Sequence, residues 1–184
     1  PYTILHQKDT KDHKKGEIVF QDGTVIKSGE KVENISILAV QPVRVMFPTP
    51  FSPKNTYICR SIDGKVGHSD GKYAGQSCAT CEFSKYPKEG GGSSPCRDQR
   101  LLLLTKEDGG MFHLQIGGLG IGTWRSFMSS QAFQWLPKVK NVLGALKLSM
   151  TVKNVDSDYG PFPTINFELN PHDPFNSKER IQAN

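Results

Sequence analysis

The apolar positions of this chain fall in short runs broken by turn formers, and most runs repeat with period two. Glu17–Phe20 and Thr24–Lys27 flank Asp22-Gly23, the pattern of a tight hairpin. Ser36–Val40 and Val43–Phe47 are β-branched or apolar runs. A break is expected between them at Pro42, because proline cannot donate to a strand ladder. Pro48, Pro50 and Pro53 then exclude regular structure. Arg100–Leu104 carries four leucines and runs into the turn Glu107-Asp108-Gly109-Gly110, so it reads as a buried strand. Met111–Ile116 returns as a hairpin partner with Phe112, Leu114 and Ile116 on one face. Leu146–Val152 turns Leu146, Leu148, Met150 and Val152 inward and Lys147 and Lys153 outward. After a turn at Tyr159-Gly160-Pro161, Thr164–Leu169 places Ile165, Phe167 and Leu169 on one face.

Helical spacing is clear in one place. Thr123 suits an N-cap, and Trp124, Phe127 and Met128 then share one face of a helix Trp124–Phe133. Pro137 stops it, and Val139–Leu143 begins a second short helix or a turn. The stretch Gly117–Gly122 reads as a flexible bend: it holds G-x-G patterns, but no G-K-[ST] and no strand–helix unit with a downstream acid. Residues 1–15 are expected to be loosely ordered, and the tail after Pro171 to fray. The count is seven or eight short strands with one or two short helices, a β-rich, all-β class. A small closed barrel with a helix across its end fits that count, of which the five-stranded OB-fold is an example. The reading is one OB-like domain over 1–184, an inserted segment at 57–98 and a polar tail at 171–184.

Composition supports many turns and few long helices: the chain has 18 Gly and 12 Pro in 184 residues, with 36% hydrophobic residues for a modest core. No apolar run approaches the length of a membrane span. The net charge of +5 is uneven. Residues 1–39 hold six Lys/Arg and six Asp/Glu, residues 40–153 hold 15 and seven, and residues 154–184 hold two and five. The basic excess thus falls on the segment with most aromatics, a pairing that suits a polyanion with exposed base faces.

Cys59, Cys78, Cys81 and Cys96 are the only cysteines and share a 38-residue window. The middle pair is a C-x2-C knuckle, with one cysteine 19 positions before it and one 15 after. A knuckle puts two sulfurs on one turn and the distant pair completes a tetrahedron, so the spacing suits one structural zinc ion held by four thiolates. The window is rich in Gly, Ser and Lys and poor in core formers, so a metal would have to order it as a ribbon. Two disulfides are the weaker alternative, since they need an oxidising compartment and no secretory signal is read, although the chain starts at Pro1 and a removed leader would leave no trace. Redox thiols are weaker still, because two cysteines would be left unexplained. His68 is a substitute ligand, but four cysteines already fill the site, and it reads as an exposed loop histidine.

No catalytic arrangement emerges, and the chain reads as not an enzyme. Four thiolates leave no open zinc position for an activated water. No His-x-Glu precedes the knuckle, as a deaminase requires. Asp63, Asp70, Asp98, Glu107 and Asp108 lie in turns, where acids are usually solvated. For nucleic acid, the candidate phosphate-binding residues are Arg44, Arg60, Lys65, Lys72, Arg97, Arg100, Lys106, Arg125, Lys138 and Lys140. Candidate stacking residues are Tyr57, Tyr73, Tyr86, Trp124 and Trp135, with Phe83 and Phe112 behind them.

The segment from Tyr57 to Leu104 resembles small phage-encoded zinc proteins of the single-stranded DNA-binding type. The resemblance is carried by C-x-S-x-D-G at Cys59, Ser61, Asp63 and Gly64, by Gly75 before the Cys78/Cys81 knuckle, and by Cys96 and Arg100 before a leucine-rich strand. "TWRSFMSSQAF" and "PFPTINFEL" are similar to that group's helix and final strand, so the likeness covers about residues 42–170. It implies an OB-like barrel stapled by a zinc ribbon. It also implies single-stranded DNA binding in phage replication, recombination or transcription, in the cytoplasm of a host cell. The alternative is a zinc-ribbon interaction factor that docks on a polymerase or other replication protein, using apolar loop residues such as Val66 and Phe83.

Overall fold

The computed structural model describes residues 4–5, 9–20, 22–48, 56–85, 94–132, 142–156, 160–170 and 173–176. The chain forms two compact units. One is Pro1–Val40 with Leu102–Asn184, here the sheet unit; the other is Gln41–Leu101, here the cysteine unit.

The strands in chain order are β1 (Ile4–Leu5), β2 (Ile18–Val19), β3 (Val25–Ile26), β4 (Lys31–Met46), β5 (Cys59–Ser61), β6 (Cys96–Thr105), β7 (Met111–Gly117), β8 (Leu148–Val155) and β9 (Phe162–Leu169). Helices α1 (Gly120–Phe127) and α2 (Val142–Ala145) lie between β7 and β8. Strands β1, β2 and β3 form a small antiparallel sheet. The larger sheet has the order β7-β6-β4-β8-β9, with β5 paired to β4. The β-rich class is therefore present. The expected closed barrel is not: among the described residues the two ends of the sheet, β7 and β9, are not paired with each other.

Alternation decides which side chains enter the core. Phe112, Leu114 and Ile116 are buried while Met111, His113 and Gln115 between them are exposed. Met150 and Val152 on β8 meet Phe167 and Ile165 across an eight-pair register that runs from Leu148–Leu169 to Val155–Phe162. Leu102 and Leu104 on β6 are fully buried, as are Ile35 and Ile37 on β4. The Asp22-Gly23 hairpin forms as read: the Thr24 N–H donates to Asp22 Oδ1 at 2.9 Å, and Gly23 takes the positive φ of +85° that the turn needs.

Four expectations are corrected. Pro42 does not break the run, since β4 continues through it for 16 residues. Pro42 is exposed and lies between the part of β4 paired with β8 (Lys31–Ile35) and the part paired with β5 (Arg44–Met46), so neither of those ladders asks it for an N–H. The irregularity sits earlier, at a register shift between Val32 and Ile35 where Asn34 takes φ +55°. The helix starts at Gly120, three residues before Thr123, and Leu119 caps it without a side-chain bond. An added Cβ at Gly120 would stand 2.9 Å from Ile116 Cγ2, so the missing side chain lets the helix leave β7 tightly and brings Ile121 into the buried stripe with Trp124 and Phe127. The α-helix ends at Phe127 and continues as a π-turn, Met128–Ala132. Within the first fifteen residues Ile4–Leu5 form β1, and residues 173–176 of the tail are docked, the buried Asn176 Nδ2 donating to Ser36 Oγ at 2.7 Å, Gly144 O at 3.0 Å and Leu146 O at 3.1 Å, while the rest of the tail lies outside the described residues.

Candidate metal centre and basic surface

The cysteine unit is built from backbone turns. β5 pairs with the end of β4 so that Met46 faces Cys59 across the ladder. After β5 the chain folds at Asp63, whose Oδ1 accepts from Ser61 Oγ at 2.9 Å, Lys65 N at 2.8 Å and Val66 N at 3.1 Å. Those donors hold the Asp63 carboxyl at about 2, with the Lys65 N–H the largest cause. Gly67 and Gly71 then pass close to other backbone. A Cβ on Gly67 would fall 2.1 Å from Tyr73 O, and one on Gly71 3.1 Å from the Cys59 Cα. Only glycine permits the first approach, and a side chain at Gly71 would require the Cys59 backbone to give by a few tenths of an ångström.

The knuckle is reached through the bridge Val66–Ser77, with the Cys78 N–H donating to Lys65 O at 2.7 Å and the Cys81 N–H to Ser77 O at 3.1 Å. Ser84 Oγ closes the turn on Cys78 O and Cys81 O, both at 2.7 Å. Ser94, itself buried, does the same for the last cysteine, bonding Phe83 O and Cys96 O at 2.7 Å each. These bonds explain the polar window: its serines and glycines shape the loops around the cysteines.

All four cysteines line one cavity of about 20 Å³, walled by Met46, Tyr73 and Phe83. None is in a disulfide. Burial raises the Cys59 thiol and pushes Cys96 up to about 11, and the neighbouring cysteines add to both. Such thiols ionise when a cation takes the place of their protons. Four soft donors round one small, largely apolar space are the donor set that zinc takes. Among the described residues, no three His, Cys, Asp or Glu side chains are arranged so as to hold a metal ion as they stand.

Two charged groups beside the cysteines were not foreseen in these roles. Arg44, read from sequence as a phosphate ligand, pairs through Nε with Asp98 Oδ1 at 3.0 Å, and its side chain is only 22% exposed. Its Nη1 is buried without a hydrogen-bond partner, and its charge favours the thiolate of Cys96. Asp70 is the hub of a second network. Tyr57 Oη donates to it at 2.8 Å, Arg60 Nη2 at 2.6 Å, and His68 Nδ1 lies 2.8 Å away. These contacts hold the Asp70 carboxyl well below the usual carboxylate range, the Tyr57 hydroxyl being the largest cause. His68 is thus a partner of Asp70 rather than an exposed loop histidine.

The remaining candidates separate clearly. Lys65, Lys72 and Arg97 are exposed on the cysteine unit. Arg100 is half-buried and donates to Gln99 O at 2.8 Å. The Arg60 guanidinium lies 4.9 Å from the Tyr57 ring centroid, and Lys72 Nζ lies 5.5 Å from that of Tyr73, which also packs on Phe83 at 5.1 Å. In the sheet unit Arg125 is exposed and Lys106 half-buried. Trp124 is corrected: at 6% exposure it is packed against Phe127 and Phe167 and cannot stack on a base. Tyr86, Trp135, Lys138 and Lys140 lie outside the described residues. No helix is long and apolar enough to cross a membrane. Comparison with protein-family models, with curated proteins and with solved structures finds no match for this chain.

Proposed function

We propose that this chain binds single-stranded DNA, and that Cys59, Cys78, Cys81 and Cys96 hold one zinc ion that fixes the cysteine unit. When bound, zinc supplies a rigid, closed cross-link and no reactive position. The observation that carries the binding reading is how the charges of the cysteine unit are used. Asp63 is spent on its own turn, Asp70 on Tyr57, Arg60 and His68, and Asp98 on Arg44. Lys65, Lys72 and Arg97 stay exposed, and among the described residues Glu82 is the exposed acid of this unit outside those networks. The outward field is therefore cationic, as a polyphosphate requires. Unpaired bases are favoured over duplex because cations repeatedly sit above aromatic faces: Arg60 on Tyr57 and Lys72 on Tyr73 in this unit, Lys106 on Phe20 and Phe112 in the sheet unit. Tyr57 and Tyr73 are half-buried, so each offers a nucleotide a ring beside a cation; Phe20 and Phe112 are almost fully buried, so there only Lys106 is on offer. The phage setting and a role in replication, recombination or transcription rest on the resemblance of the cysteine segment alone.

The test is anisotropy of a labelled mixed-sequence single strand at several salt concentrations, with unlabelled duplex and RNA as competitors. Binding should weaken with salt by roughly 0.7 in the log–log slope for each phosphate neutralised, and duplex should compete poorly. Absence of binding at low salt overturns the reading. A second reading then takes over, a factor that docks on another protein of the replication machinery. It is supported by two apolar side chains that the cysteine unit leaves in solvent, Ile62 at 49% and Val66 at 43% exposure.

A further inference from the structure

The sheet unit carries a cleft of about 230 Å³, lined by Phe20, Asp22, Lys106, Gly110, Met111 and Phe112. Its floor is aromatic. Phe20 and Phe112 meet edge to face at 4.8 Å, both almost fully buried. Lys106 Nζ lies over this floor, 4.4 Å from the Phe20 centroid and 6.0 Å from that of Phe112. One rim is Met111, which at 66% exposure is the most exposed large hydrophobic side chain among the described residues. It stands on β7, at the edge of the larger sheet. The other rim is Asp22, one of whose carboxylate oxygens is taken by the Thr24 N–H at 2.9 Å. Gly110 puts no side chain into the opening.

We propose that this cleft seats one nucleotide of a bound single strand, its phosphate on Lys106 and its base against the Met111 side chain; the inference rests on the single-strand reading. Each wall has a matching chemical reason. An ammonium over two ring faces keeps N–H donors for an anion. A polarisable thioether makes favourable contacts with flat aromatic groups and adapts to any base. Asp22 is the acceptor on this rim for a base N–H, and its charge also attracts Lys106.

The test uses the full chain with ¹³C-methyl methionine. Met46, Met111, Met128 and Met150 are the four methionines, and Met150 is fully buried in the sheet core. A mixed-sequence single strand is titrated at low salt while anisotropy follows binding in parallel. The Met111 methyl signal, assigned from Met111→Leu, should shift upfield under the base ring current and saturate with the anisotropy. The Met150 signal should stay in place, which also reports that each variant is folded. Met111→Ala should weaken binding roughly two- to tenfold with the salt slope unchanged. Lys106→Gln should weaken it and lower the slope by roughly 0.7. Saturated binding with an unmoved Met111 signal and unaltered variants overturns the cleft and leaves the single-strand reading standing. A Met111 shift with an unaltered Lys106→Gln slope overturns the phosphate assignment. No anisotropy change in the unsubstituted protein overturns both.

Discussion

The two units hold their backbones in opposite ways. The sheet unit buries eighteen apolar side chains in one cluster, from Ile18 on β2 to Phe167 on β9. Among its described residues the cysteine unit buries five, Val43, Ser61, Gly67, Cys78 and Ser94. Its order comes from side-chain-to-backbone bonds at Asp63, Ser84 and Ser94, from close glycine approaches, and from the cysteines themselves. A core contributes in proportion to the area it removes from water. A set of hydrogen bonds, the neutral ones each worth about 1 kcal/mol net and those that the Asp63 carboxylate accepts somewhat stronger, scarcely offsets the entropy of ordering the loops that make them. The zinc ion proposed for the cysteine unit would supply the cross-link that its small core does not, and the sheet unit has no such requirement.

The largest effect that separates the units is therefore metal removal. Structural zinc in small domains binds with an apparent free energy of about 10–16 kcal/mol, which becomes folding free energy. One zinc per chain is expected by elemental analysis. Chelation, or Cys78→Ser, should collapse the amide spectrum of residues 56–85 while the β-rich circular dichroism and the Met150 methyl signal persist. Full zinc content in Cys78→Ser contradicts the ligand assignment. Loss of the sheet unit's signals together with the metal contradicts the division of labour.

The converse break lies in the sheet core. Phe167 is 1% exposed, with Trp124 edge-on at 5.9 Å and Phe127 at 5.7 Å. Phe167→Ala should cost about 3–5 kcal/mol by leaving a cavity, measured by denaturant unfolding, with the zinc content unchanged. A cost below about 1 kcal/mol, in the range of a surface site, shows that this cluster does not carry the unit.

How much of this could be read from the chain follows the same division. Period-two burial is a local signal, and it placed Phe112, Leu114, Ile116, Met150, Val152 and Ile165 correctly because each strand faces one core. Sheet closure is not local. Nothing in β7 or β9 encodes whether their edges meet, so the barrel was an inference from strand number. Pro42 misled because a proline's cost depends on whether a partner strand needs its N–H. The Gly120 start was hidden because Thr123 offered a better cap than the chain uses, and a contact with Ile116 decided instead. At the cysteines, the spacing pointed to one four-thiolate zinc site; the four residues line one cavity, and among the described residues none are arranged to hold a metal as they stand. The spacing could not show that Asp70 gathers Tyr57, Arg60 and His68, since a charge pattern does not reveal which charges are already spoken for.

Arg44 brings that last point to its smallest and most exacting test. On sequence it is one more surface cation. In the structure its guanidinium is bound on one side by Asp98, and its Nη1 is a buried donor with no acceptor. An orphaned donor of this kind costs about 1–3 kcal/mol unless something completes it. A four-thiolate zinc centre would carry two negative charges, and the Arg44 charge already favours a thiolate at Cys96; we propose that this charge balance is the role of Arg44. Arg44→Gln should accordingly weaken zinc binding about 10–100-fold in chelator competition, the usual scale for residues that support a metal's ligands. The cobalt-substituted protein should show a shifted sulfur-to-metal charge-transfer band, which a loss of packing alone does not move. Single-strand affinity of the zinc-saturated variant should change little, because this cation is turned inward. If Arg44→Gln instead leaves zinc affinity intact and lowers the salt slope of DNA binding, Arg44 is a phosphate ligand after all, and the cysteine unit tolerates its thiolates without a counter-charge.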